Sequence, residues 1–191
     1  MKVLGISGST RSDSHNMSLL RAAAEVLGPD SALELEIWDG LKAVPPYDED
    51  DDVDPGPAAV AQLRAAVAGA DAILIATPEY NSSIPGQLKN ALDWVSRPIA
   101  TNPIRNTPVA VIGASTGIFG AVWAQAELRK VLAAMGARVV DGELACGQAH
   151  TRFDEHGVLS DDALRAQLAD VVSALVGEAA RRPETQLPAA A

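Results

Sequence analysis

Ala72-Ile73-Leu74-Ile75-Ala76 is an apolar run with no polar alternate position, and it opens directly into Thr77-Pro78-Glu79-Tyr80-Asn81-Ser82. A strand of that kind is covered on both faces, which is the mark of a parallel sheet with helices packed on each side. Val109-Ala110-Val111-Ile112-Gly113 has the same character. Polar loops after such strands are where open α/β sheets place their ligands.

The rest of the chain alternates strand-like and helix-like segments. Lys2 to Ser7 reads as a first strand, and Asn16 to Leu27 as a helix with Met17, Leu20, Ala24 and Leu27 on one face. Leu33 to Trp38 alternates apolar and charged residues, as a strand exposed on one face or lying at a sheet edge does. Val60, Leu63 and Val67 mark the next helix, and Gly86 to Ser96 another. Leu128, Val131, Leu132 and Met135 form the inner face of a long helix. A short strand follows at Arg138-Val139-Val140 or slightly later at Leu144-Ala145. The closing helix carries Leu164, Leu168, Val171, Val172 and Leu175, with Ser160 as its expected N-cap.

Five strands and five helices predict a doubly wound, flavodoxin-like α/β fold: a five-stranded parallel sheet with helices on both faces. A barrel would need about 250 residues. The 191 residues suit one domain over 1–180, followed by a Pro- and Ala-rich tail at 181–191 that is expected to be disordered.

A formal charge of −10 argues against general affinity for nucleic acid or anionic membrane. Any anionic ligand must be held locally, by backbone donors and one or two placed cations. Cys146 is the sole cysteine, so no intramolecular disulfide forms. The N-terminal apolar stretch is too short for a signal peptide, and no run reaches the roughly 18 apolar residues that span a bilayer. A cytoplasmic location is the expectation.

Gly8-Ser9-Thr10-Arg11-Ser12-Asp13-Ser14-His15-Asn16 joins the first strand to the first helix. Neutral donors with one guanidinium are what a phosphate monoester needs. The loop lacks the Gly-Lys-Ser/Thr ending of nucleotide hydrolases and the spacing G-x-G-x-x-G of dinucleotide-binding turns. Pro78 to Ser82 offers backbone amides, with Tyr80 to pack against a planar ring. Ser115-Thr116-Gly117-Ile118-Phe119-Gly120 follows the fourth strand and is expected to open the next helix, its amides favouring negative charge above them.

Gly8-Ser9-Thr10-Arg11 with Asn16, Pro78-Glu79-Tyr80-Asn81 running into Pro85-Gly86 and Lys89-Asn90-Ala91-Leu92-Asp93-Trp94, and Ser115 with Gly117 together resemble the NADPH-dependent FMN reductase family. That family includes bacterial quinone, azo-dye and chromate reductases. The resemblance implies non-covalent FMN, NADPH or NADH as electron donor, a small-molecule acceptor, and a homodimer or homotetramer. Carried over by position, Ser9, Thr10, Arg11, Ser14, Asn16 and Met17 belong to the phosphate and ribityl end. Pro78, Glu79, Tyr80, Asn81 and Ser82 border the isoalloxazine, and Ser115, Thr116 and Gly117 meet its pyrimidine side. Relatives often have paired glycines where this chain has Gly120-Ala121.

No nucleophile–base pair accompanies these loops, so no side chain is assigned a proton-transfer role and hydride transfer through the flavin is the expected chemistry. The alternatives are a flavodoxin-type electron carrier and a nucleotide- or sugar-phosphate-binding regulator. Asp48 to Asp54 reads as a solvated loop, and His15, His150 and His156 show no metal-ligand spacing, so no metal is expected. His15 lies in the phosphate loop and could contribute to it, with a bystander role favoured; Cys146 is taken as an inert, partly buried thiol and Trp94 as a candidate subunit contact.

Overall fold

The computed structural model describes residues 1–28 and 32–181, so the expected tail beyond Arg181 lies outside the described residues. Its strands are β1 (Lys2–Ser7), β2 (Glu34–Trp38), β3 (Ala72–Thr77), β4 (Pro108–Ala114), β5 (Arg138–Val139) and β6 (Ala145–Cys146). The helices are α1 (His15–Leu27), α2 (Ala58–Ala68), α3 (Gly86–Val95), α4 (Val122–Ala134) and α5 (Asp162–Ala180). All strand pairs are parallel, in the order β2-β1-β3-β4-β5, with β6 also on β4. This is the flavodoxin-like order.

The two apolar runs lie where their composition puts them, at the centre of the sheet, every residue of β3 and β4 being buried. Strand periodicity divides each between two cores. Ile73, Ile75, Val109 and Val111 pack with Leu63, Leu88, Trp94 and Leu128 of α2, α3 and α4. Ala72, Leu74, Ala76, Ala110 and Ile112 pack with Leu19 and Leu20 of α1 and Leu168, Val171 and Leu175 of α5. Strand β2, with its charged alternate positions, is the sheet edge, one of the two placements its pattern allows.

The fifth strand position is split between both candidate segments. β5 pairs with Pro108 and Val109 at the start of β4, and β6 with Gly113 and Ala114 at its end. Between them the chain leaves the ladder, and the Arg129 guanidinium of α4 donates to the carbonyls of Val111, Val140 and Gly142. A long cation spans a gap that two short strands cannot close with backbone bonds. Its burial, the leading influence, holds its pKa below the usual arginine value, and Glu143 and Asp141 offset that in part.

The N-cap of α5 is Asp161, not Ser160. Asp161 Oδ1 accepts from the amide of Leu164 at 3.0 Å while Oδ2 pairs with Arg152 at 2.6 Å. Ser160 is engaged elsewhere: its hydroxyl donates to the Arg152 carbonyl at 3.1 Å. Trp94 is not a subunit contact either, because it is fully buried. Its indole N–H donates to the Pro45 carbonyl at 2.9 Å, Tyr47 meets it edge-on, and the Arg64 guanidinium lies over its ring.

The polar positions of α3 hold the chain that follows β2. Asn90 accepts from the Tyr47 amide and donates to the Pro45 carbonyl, each at 2.7 Å, and Gln87 donates to the carbonyls of Leu41 and Val44. In the acidic segment, Asp48 caps the short 3-10 turn Glu49–Asp51, and Asp52 pairs with Arg64 at 3.0 Å. Among the described residues no group of three or more His, Cys, Asp or Glu side chains is placed to hold a metal ion.

Candidate cofactor-binding site

Strands β1, β3 and β4 end side by side in register, Ser7 beside Ala76 and Thr77 beside Gly113. Their following loops therefore meet at one sheet edge. Between them lies a cleft of about 150 Å³ lined by Ser9, Arg11, Ser14, His15, Asn16, Pro78, Glu79, Tyr80, Ala114, Ser115 and Thr116.

The first loop is shaped by its own hydroxyls. Ser7 Oγ accepts from the Ser9 amide, Ser9 Oγ from the Arg11 amide, and Ser14, the N-cap of α1, from the Asn16 amide at 3.2 Å. The Arg11 guanidinium is turned back on the Asp13 carbonyl at 2.5 Å, which holds it at the loop. Among the described residues the amides of Thr10 and Ser12 have no partner, so the loop keeps free donors. Arg11 is, among the described residues, the one Lys or Arg lining the cleft.

Asn16 is almost fully buried and its side chain is used within the protein. It donates to the Ala114 carbonyl at 3.1 Å and accepts from the Ala114 amide at 2.9 Å. Its primary amide thus pairs with β4 as a neighbouring peptide would and fixes the first loop against the third. His15, read as a bystander from sequence, lines the cleft and stacks on Phe153 with ring centres 5.6 Å apart. Burial first, then the charges of Arg11 and His150, lower its pKa, so the imidazole is neutral at pH 7. Its place in the first loop is the sequence signal for this position.

The second loop turns tightly. Tyr80 and Ser83 exchange backbone bonds at 3.0 and 3.1 Å, and Asn81 and Ser82 occupy the two turn positions at φ 54° and 59°. Asn81 and Ser82 are therefore at the exposed tip and outside the cleft lining, whereas Pro78, Glu79 and Tyr80 face it.

The third loop does not open the helix directly: α4 begins at Val122, beyond a turn in which both Gly120 and Ala121 are left-handed, at φ 60° and 64°. A Cβ on Gly120 would lie 2.4 Å from the Ala145 backbone, which is why glycine is needed there. Ala121, which carries a Cβ, holds its left-handed conformation at some conformational cost. The free amides of α4 do not face the cleft as expected. Glu79 Oε2 accepts from both the Trp123 and Ala124 amides at 3.1 Å. The loop is further stitched to the segment after β6, with Gln148 donating to the Gly117 carbonyl and Ala149 to that of Ser115. Gly117 lies outside the cleft lining, and Thr10 and Met17 line a neighbouring cavity on the β2 side of the first loop.

Cys146 is buried under this segment. Burial, the leading cause, pushes its thiol up to about 11, against a smaller lowering effect of Arg152, so it is an inert thiol as expected.

The order of the strands defines a flavodoxin-like protein, with a cleft between the loops that follow β1, β3 and β4. Residues 1–151 match the model of the NADPH-dependent FMN reductase family, and the chain belongs to that family. It is 40% identical to an NAD(P)H-dependent FMN reductase of Pseudomonas aeruginosa over 176 residues, covering 92% of this chain and 93% of that protein. It is 34% identical over 142 residues to a quinone reductase of Escherichia coli K12, covering 74% of each. Among solved structures it is similar to FerB, a flavoenzyme NAD(P)H:acceptor oxidoreductase of Paracoccus denitrificans. The TM-score there is 0.81 and the identity 32%, over 93% of this chain and 96% of that one.

Proposed function

We propose that the chain is an FMN-dependent NAD(P)H oxidoreductase that reduces flavin, quinone or similar small acceptors. The observation that carries this is the cleft: three loops converge on it, and among the described residues its lining holds neutral donors, Arg11, His15 and the helix-capping Glu79, with no hydrogen-bonded nucleophile–base pair. The donor set fits FMN. Ser9, Arg11 and the free amides of the first loop would hold its phosphate, and Pro78, Tyr80, Ser115 and Thr116 would border its ring. When bound, the flavin supplies the two-electron chemistry between nicotinamide donor and acceptor, so the chain itself needs no acid or base.

What the residues do is bind and orient. A cleft of about 150 Å³ is smaller than pockets that enclose a whole ligand, which leaves the outer face of a held ring open to donor and acceptor in turn. Tyr80, 57% exposed, stands at that face. Asn16 and Glu79 keep the loops at fixed separation rather than touching the reacting atoms.

The same reading extends to a cytoplasmic homodimer or homotetramer. Among the described residues no helix is long and apolar enough to cross a membrane. Exposed Ile118, Phe119 and Trp123, the last two in edge-on contact, are apolar surface that a second copy would cover.

The test is an absorption spectrum of the purified protein with FMN, followed by anaerobic addition of NADPH and NADH. Prompt bleaching of the flavin band is expected. Retained colour without bleaching by either donor would make the protein an electron carrier, and failure to take up FMN would remove the redox reading.

A further inference from the structure

We propose that the neighbouring cavity on the β2 side of the first loop is a phosphate-monoester site that selects the 2′-phosphorylated nicotinamide donor, NADPH, over NADH. This rests on the NAD(P)H reductase reading and adds to it a named donor and the residues that choose it. The cavity measures about 210 Å³ and shares Ser9 and Arg11 with the cofactor cleft, so the two lie back to back across one loop. Three cations line it: Arg11 from the loop, Arg21 from α1 and Lys42 from the turn after β2.

Acidic residues outnumber basic ones by 25 to 15 in this chain, so an average patch would carry more carboxylates than cations. Here, among the described residues, Asp39 is the one carboxylate against three positive groups. Among the described residues, Arg21 and Lys42 form no ion pair or hydrogen bond, so their donors are free. Three other arginines of the chain are instead paired, Arg64 with Asp52, Arg138 with Glu178 and Arg152 with Asp161.

The remaining wall is built to receive the organic part of a ligand. Trp38 is half-buried at the end of β2, and the backbone of Gly40 lies so close that a Cβ there would sit 2.5 Å from the ring. That contact fixes the indole as an apolar wall beside the cations. Two guanidinium groups and an ammonium with hydroxyls between them match a dianionic monoester, whereas the pyrophosphate diester common to both donors would gain less. No such clamp is visible in the sequence, because Arg11, Arg21 and Lys42 are spread over three elements.

The experiment is calorimetric titration of the protein as purified with NADP⁺ and NAD⁺, which differ only in the 2′-phosphate and reduce nothing. A preference for NADP⁺ of about tenfold or more is expected, the size that follows from charged hydrogen bonds to phosphate. The double variant Arg21→Ala/Lys42→Ala should bring NADP⁺ down to the NAD⁺ level, with NAD⁺ binding and FMN retention unchanged. Equal or unmeasurable binding of the two nucleotides by the native protein would overturn the proposal, as would a double variant that keeps its preference. Loss of FMN from the double variant would also overturn it, by assigning the cavity to the FMN phosphate. Failure of the reductase reading shows separately, as absent flavin bleaching with both donors.

Discussion

The side-chain amide of Asn16 on α1 and the backbone of Ala114 at the end of β4 exchange two hydrogen bonds, at 3.1 and 2.9 Å, in a buried position. That pair joins the loop expected to hold a phosphate to the loop expected to meet a ring. Asn16→Ala leaves both polar groups of Ala114 unpartnered, so a loss of about 2–4 kcal/mol is expected in the cofactor-free protein. Urea unfolding without FMN measures it. A variant with native stability and a defect only in FMN affinity would mean that Asn16 is a direct ligand.

Glu79 plays a comparable part for the second loop. Its carboxylate caps α4 through Trp123 and Ala124 while also lining the cleft. Glu79→Gln keeps an acceptor but removes the charge, and about 0.5–2 kcal/mol of stability should go with it. The lost carboxylate and the uncompensated helix terminus both favour negative charge in the cleft. Bound FMN should therefore become easier to reduce, its midpoint potential rising on the order of 10–40 mV for a two-electron couple. Spectroelectrochemical titration of the two proteins is the check; an unchanged or lower potential would contradict it.

Among the described residues, Arg11 is the one Lys or Arg lining the cleft. Arg11→Ala should weaken FMN retention by about 1–3 kcal/mol, the range of a charge-assisted hydrogen bond, with little change in the stability of the cofactor-free protein. Fluorescence titration with FMN measures this. Unchanged affinity would put the phosphate elsewhere.

Two glycines make a matched pair. A Cβ on Gly147 would come within 2.2 Å of the Ile118 carbonyl oxygen, where two backbone segments cross under the third loop. Gly147→Ala should cost about 1–3 kcal/mol through overpacking. Gly177, within α5, has nothing within 4 Å of the same position, so Gly177→Ala should stabilise by about 0.5–1 kcal/mol. Thermal melts of both variants test the opposite signs.

Cys146 titrates high because it is buried. A thiol reagent at pH 8 should leave it unmodified until the protein unfolds. Its pKa in the fold, about 11, lies above the ordinary 9.0, so the unfolded chain loses its thiol proton first as the solution becomes alkaline. Its contribution to stability is complete below pH 9 and should erode between pH 9 and 11, by at most about 1.4 kcal/mol per pH unit. Comparison with Cys146→Ala across that window isolates the effect.

The sequence by itself determined the layered α/β sheet and the three loops at one rim, while the alternation in β2 left a half-exposed or an edge strand and the strand order decided for the edge. These are matters of local pattern: apolar runs declare strands covered on both faces, alternation declares a strand with an exposed side, and 3.6-residue spacing declares a helix face. Asn16, Glu79, Trp94 and Ser160 were recognisable as polar or aromatic residues in suggestive places, yet their partners were not. Asn16 meets a backbone 98 residues away, Glu79 caps a helix 44 residues on, and Asp161 takes the cap that Ser160 was expected to fill. Splitting of the fifth strand, with Arg129 across the gap, and the gathering of Arg11, Arg21 and Lys42 are likewise products of packing. A hydrogen-bonding side chain satisfies whichever group the assembled fold brings within about 3 Å, and no spacing along the chain encodes that distance.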